Sequence, residues 1–180
     1  MPGEWAYRKD AETFLFLTDL EARRAKAEAA LAAGQDALQA DPGNLAARVL
    51  VAEAKRTLGH EAAATAYEEI TARYPTFVPA FVALAEIYAS RPDQKAQALE
   101  IASRARKLAP HDARLAGLLG KMAFLNGKYE WAEGLLREAI AQHVDEAESE
   151  YYVGCSRAAL GDAAGAAKAW RRALELAPDA

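Results

Sequence analysis

Few of the residues that could do chemistry stand near one another. The imidazoles, His60, His111 and His143, are far apart in the chain, two of them beside turn-forming residues, and the single thiol is Cys155. Neither an H-E-x-x-H nor a C-x-x-C spacing is present, so no set of ligands for a metal is laid out along a helix face or a turn. Cys155 has no histidine close by in sequence, and a solitary cysteine on an alanine-rich helix reads as a packing residue or an idle thiol. One cysteine also excludes an internal disulfide framework. The glycines do not form a phosphate loop, because no strand precedes them. The many carboxylates read as solvated helix faces and caps, with Glu133 four residues ahead of Arg137 as an i, i+4 pair. No triad, dyad or cofactor fingerprint is visible, so the chain is read as a non-enzyme with no catalytic, cofactor or metal residues.

Composition points the same way. Alanine makes up roughly a quarter of the chain, and with Leu, Glu, Lys and Arg it favours helix almost everywhere. The net charge is −4, from 22 basic and 26 acidic residues of interspersed sign, which does not suggest a nucleic-acid partner. No apolar run approaches membrane-spanning length, and Met1-Pro2-Gly3-Glu4 is unlike the start of a secretory signal, so a soluble piece without membrane insertion is expected, in no particular compartment.

What must position any functional side chain is a repeat. Gly120 recurs as Gly154, Gly127 as Gly161, Ala132 as Ala166 and Ala139 as Ala173, each pair 34 residues apart. Small residues at these places let two antiparallel helices approach closely, and the second glycine of each copy supplies the turn between them. The spacing resembles the tetratricopeptide repeat, on Val153-Gly154, Gly161, Ala166, Trp170, Ala173 and Pro178. Closing prolines stand at Pro42, Pro75, Pro110 and Pro178 with Val144 in the missing place, at steps of 33, 35, 34 and 34. The second-helix alanine forms a column at Ala30, Ala63, Ala98, Ala132 and Ala166, and seven residues further on stand Ala37, Ile70, Ala105, Ala139 and Ala173. The resemblance implies an all-α fold, a right-handed α-solenoid of about five helix-turn-helix units. They are expected at about 11–43, 44–77, 78–112, 113–146 and 147–180, after a lead over 1–10.

Along the chain, Trp5 and Tyr7 either cap the first helix or lie in an unstructured start. Residues 11–40 carry Phe14, Leu17 and Leu20 on one stripe, yet neither Gly nor Pro stands near Ala25-Lys26-Ala27, where the family places a turn. This unit is therefore either one long helix or a pair with a tight bend. Asn44 after Pro42-Gly43 caps the second unit, with Ala47, Leu50, Val51 and Ala54 inward and Ala63, Tyr67 and Ile70 facing them. The third unit has Phe81, Leu84, Ala85 and Tyr88, tolerates Pro79 in its first turn, and carries a longer turn at Ser90-Arg91-Pro92-Asp93. Asp112 caps the fourth unit and Asn126-Gly127 ends its first helix. In the fifth, Glu150 and Arg157 stand where apolar residues are usual, and Trp170 and Leu174 face an uncovered end.

Function then lies in shape. The resemblance implies that first helices line a concave groove, and register places Arg48, Ala52, Lys55, Val82, Glu86, Arg114, Lys121, Phe124, Tyr151 and Cys155 on it. Such a wall fits a peptide or protein segment with acidic and apolar residues. Trp131 is read as either outer surface or contact with a neighbouring unit. The charged groove positions equally fit a merely solvated face, and a register error of one would make Phe124 and Tyr151 core. One subset of the family clamps the carboxylate tails of chaperones with lysines, asparagines and an arginine. Here Ala52 and Leu118 replace two of those residues, so the clamp is not expected. The reading is a non-catalytic interaction scaffold, of the kind that serves as an assembly factor or co-chaperone-like adaptor. The alternatives are a module self-associating through its C-terminal end and the substrate-docking arm of a larger enzyme.

Overall fold

Asn44 sits in extended backbone, and its side-chain oxygen accepts a hydrogen bond from the Ala47 amide at 3.0 Å, starting α2 (Leu45–Thr57) where an N-cap belongs. Asp112 and Asp162 do the same for α6 (Ala113–Leu125) and α9 (Ala163–Leu176). The computed structural model describes the backbone of residues 3–59 and 61–177 and the side chains from Thr18 onward within them. The expectations for Trp5, Tyr7, Phe14 and Leu17 as side chains, and for His60 and Pro178, lie outside the described residues. The remaining helices are α1 (Gly3–Ala40), α3 (Ala62–Arg73), α4 (Val78–Ala89), α5 (Lys95–Leu108), α7 (Tyr129–Ala141) and α8 (Glu146–Ala159). Among the described residues there is no strand.

The turns have identifiable causes. Gly59, Gly127 and Gly161 adopt φ of +70°, +72° and +86°, which a side chain would oppose. After α6, the Gly127 amide donates to Phe124 O and the Lys128 amide to Ala123 O, the paired bonds that close a helix C-terminus. At the end of α7 the same pair runs from His143 to Ile140 and from Val144 to Ala139, and His143 takes φ 56° in the glycine's place. The longer turn of the third unit winds into a short 3-10 segment, Pro92–Gln94.

The first unit is one helix: α1 runs unbroken through Ala25-Lys26-Ala27. These residues are strong helix formers and none tolerates a left-handed turn cheaply.

The chain divides into two compact units, Met1–Arg73 and Tyr74–Ala180. In the first, α1 packs on α2 and α2 on α3. Gly34 of α1 lies hard against α2, since a Cβ there would come within 2.7 Å of Val51 Cγ2 and 3.3 Å of Ala47 O. Tyr67 is 1% exposed and donates its hydroxyl to Glu53 at 2.5 Å. Burial, then the Glu53 hydrogen bond and charge, raise that phenol far above its ordinary range. Leu50, expected inward, is exposed, and Ala52, expected in the groove, is fully buried. Packing against both α1 and α3 turns the buried face of α2 toward Val51 and Ala52.

The second unit stacks the hairpins α4–α5, α6–α7 and α8–α9, with α5 against α6 and α7 against α8. Its core includes Ala123, Ala132, Leu136, Val153 and Ala169. Four of the five alanines in the column, Ala63, Ala98, Ala132 and Ala166, are 4%, 0%, 0% and 1% exposed, whereas Ala30 on the unbroken α1 is only half-buried.

Candidate functional site

Within the C-terminal unit, first helices touch first helices, α4 on α6 and α6 on α8, so their side chains form one continuous surface. Lys121 on α6 is its centre. Its ammonium donates to Glu148 on α8 at 2.5 Å and stands 5.4 Å above the Tyr152 ring. Partial burial works against the charged lysine, but Glu148, Tyr152 and the Glu86 carboxylate on α4 outweigh it and hold its pKa above the ordinary lysine value. Phe124, one turn further along α6, lies 5.7 Å from Tyr129 and 5.3 Å from Tyr152, ring centre to ring centre, and Tyr152 meets Tyr151 edge-on at 5.2 Å. Tyr151 is 51% exposed, and its phenol is raised chiefly by its hydrogen bond with the half-buried Cys155.

Five expected groove residues, Glu86, Lys121, Phe124, Tyr151 and Cys155, thus share one network. Phe124 also packs against the core cluster, so it stands between the two roles offered for it. Val82 is half-buried on α4. Arg114 is exposed, and its guanidinium is engaged by Asp112, the N-cap of its own helix, at 2.9 Å. In the N-terminal unit, Arg48 reaches back to donate to Pro42 O at 2.6 Å and pairs with Glu69 at 3.7 Å, so its charge braces the loop before α2 against α3. Lys55 is half-buried on α2. Trp131 is exposed, under the Lys128 ammonium at 5.5 Å. Arg157 ties α8 to α7 by donating to Glu133 at 3.0 Å, where the usual contact is apolar.

A feature that register alone does not delimit lies between α8 and α9. An open hollow of about 680 Å³ is lined by Ala147, Glu148, Tyr151, Tyr152, Trp170, Ala173, Leu174 and Ala177. Trp170 packs against Gly154, where a Cβ would come within 2.4 Å of its ring, and its indole donates to Tyr151 O at 3.3 Å. Leu174 is 61% exposed and Trp170 37%. One repeat earlier, where α8 packs, the equivalent Leu136 is 1% exposed and the equivalent Ile140 is half-buried. The signal is in the sequence, as the 34-residue equivalence of Trp170 with Leu136 and of Leu174 with Ile140. Among the described residues no helix is long and apolar enough to cross a membrane.

No protein-family sequence model matches the chain, and no curated protein sequence matches it. Solved structures do. A thermophilic TPR protein of Thermus thermophilus, TTC0263, is similar at 25% identity, with 86% of this chain and 85% of that one covered and a TM-score of 0.66. MamA of Desulfovibrio magneticus RS-1 is similar at 20% identity, over 92% and 94%, with a TM-score of 0.76. YrrB, described as a TPR protein with an unusual peptide-binding site, is similar at 20% identity, over 89% and 83%, with a TM-score of 0.72. Paired helices with small residues at each crossing, a beat of about 34 residues and these likenesses together give the chain the tetratricopeptide-repeat fold.

Proposed function

We propose that the chain is a non-catalytic scaffold that holds a segment of a protein partner on the first-helix surface of its C-terminal unit, with the α8–α9 hollow as the main anchor. The observation that carries this reading is the hollow itself. It is apolar, aromatic-walled and open where the preceding hairpin receives a helix. An apolar helical or extended segment would bury Tyr151, Trp170 and Leu174, and an acidic residue on it would meet Lys121 at the edge. Micromolar affinity requires only about 8 kcal/mol net, within reach of one or two buried aromatics with an ion pair. The peptide-binding site for which YrrB is described supports the class of partner.

The test is affinity capture on the native chain with competition by variants. Leu174→Glu should release the captured protein while the thermal unfolding midpoint stays nearly unchanged, and Lys121→Glu should release it with a lowered midpoint, because a carboxylate there faces Glu148 and Glu86. A partner indifferent to both replacements removes this surface from the proposal.

The same exposed pair, Trp170 and Leu174, supports a second reading, self-association through this end. It predicts a concentration-dependent mass that Leu174→Glu lowers to that of a monomer.

A further inference from the structure

The joint between α7 and α8 shows what a covering helix does in this array, and the open face of α9 is the same surface one repeat later. On α7, Glu133 accepts from Arg137 of its own helix at 2.9 Å and from Arg157 of the covering helix at 3.0 Å. Beside that pair α8 turns a small and aliphatic face inward, with Ser149, Val153 and Ser156 buried. Only residues 142–145 link the two helices, so α8 runs antiparallel to α7.

One repeat on, Ala167 stands in place of Glu133 while Arg137 recurs as Arg171. Arg171 folds back over that alanine and donates to Ala167 O at 3.2 Å, so a cation stands where the preceding joint holds a carboxylate. Among the described residues no carboxylate pairs with it, and Glu175, one turn along, is engaged by Arg172 at 3.1 Å. Arg171 lies beside Leu174 as an i, i+3 neighbour, at the edge of the hollow. The other ion pair that ties α8 down, Lys121 with Glu148, has no counterpart either, because Cys155 is the equivalent of Lys121.

We infer that the α8–α9 hollow receives an amphipathic helix of a partner protein, laid antiparallel on α9 as α8 is laid on α7. It presents small and aliphatic residues to Trp170 and Leu174, and a carboxylate at the place that Arg157 holds on α8. This rests on the reading of the hollow as a docking site and adds the partner's fold, direction and charge. The sign follows from the exchange on the second helix: a carboxylate on α7 takes an arginine from its cover, and a bare arginine on α9 takes a carboxylate. A second copy of this chain is the poorer occupant. Its α8 would bring Arg157 against Arg171, like charge on like, and the inward face of that helix is already buried.

The probes are two peptides with the sequence of α8, Glu146–Ala159, each held helical by a staple across its outer face and carrying Cys155→Ser; one also carries Arg157→Glu. Fluorescence anisotropy against the full 180-residue chain should show the Arg157→Glu peptide binding about tenfold more tightly than the other. Arg171→Glu in the chain should reverse that order, and Leu174→Glu should abolish binding of both. Equal affinities, or an order that Arg171→Glu leaves unchanged, would overturn the carboxylate; the hollow itself would stand if Leu174→Glu still abolished binding. No binding of either peptide would overturn the helical occupant, whereas a captured partner indifferent to Leu174→Glu would overturn the docking site beneath it. Light scattering that shows a dimer dissociated by Leu174→Glu would give the hollow to a second copy and overturn the partner helix.

Discussion

The hairpins α6–α7 and α8–α9 are the same 34-residue unit written twice, and they differ most where their residues correspond. Leu136 is 1% exposed and Trp170, in its place, is 37% exposed. Gly120 and Gly154 both let the second helix touch the backbone of the first, but the atoms they meet belong to a leucine sealed in the core in one case and to a half-open indole in the other. In a repeat array the burial of a residue depends less on its own unit than on whether a neighbouring helix lies over it. The α6–α7 face has α8; the α8–α9 face keeps a hollow. One sequence pattern therefore yields a core in one place and a candidate binding surface in the next.

The largest effect that would sharpen this contrast is truncation at the two corresponding positions. Leu136→Ala should cost about 2–5 kcal/mol, because a closed site keeps the cavity. Trp170→Ala should cost less, about 1–3 kcal/mol, despite removing more atoms, since its outer side already meets solvent and its site can relax. Urea midpoints of the two variants measure the difference, and equal losses would break the comparison. A smaller effect separates the glycines. Gly120→Ala places a Cβ 2.8 Å from Leu136 Cγ and 3.2 Å from its amide nitrogen, with no room to yield. It should cost about 1–3 kcal/mol by overpacking. In Gly154→Ala the three atoms nearest the new Cβ all belong to the Trp170 ring, the closest at 2.4 Å, and that ring can swing toward the hollow. A smaller loss of stability, with a shift in tryptophan fluorescence, is expected there.

The parts of this molecule legible in the sequence are those in which one residue type is the sole solution. Only glycine reverses the chain cheaply at Gly127 and Gly161, and only a small residue fits where Ala132 and Ala166 are crossed, so period and hairpins can be read directly. Where several residue types serve, reading fails or stays open. His143 ends α7 in the left-handed conformation usual for glycine, and nothing in its side chain announces that. Helical register puts Arg48 in the groove, but a long side chain on the correct face can still turn back, and its guanidinium braces Pro42 and Glu69. Leu50 and Ala52 exchange places because α2 is packed by two helices whose directions a single periodic stripe does not encode. The hollow requires knowing what covers a face, which is a property of the neighbour.

The smallest effect tests how the two hairpins are joined. Glu133 on α7 accepts from Arg137 at 2.9 Å and from Arg157 on α8 at 3.0 Å. Partial burial disfavours its charge, but the two arginines prevail and its pKa lies below the ordinary 4.5. A carboxylate depressed on folding contributes stability that is fully present above its unfolded value and is lost as pH falls through its folded one. Glu133→Gln should therefore lower the urea midpoint at about pH 6, and the gap from the parent should close as the pH is taken well below 4.5. A gap that stays constant with pH would mean that the α7–α8 joint rests on packing around Val153 and Leu136 and that the ion pair is incidental to it.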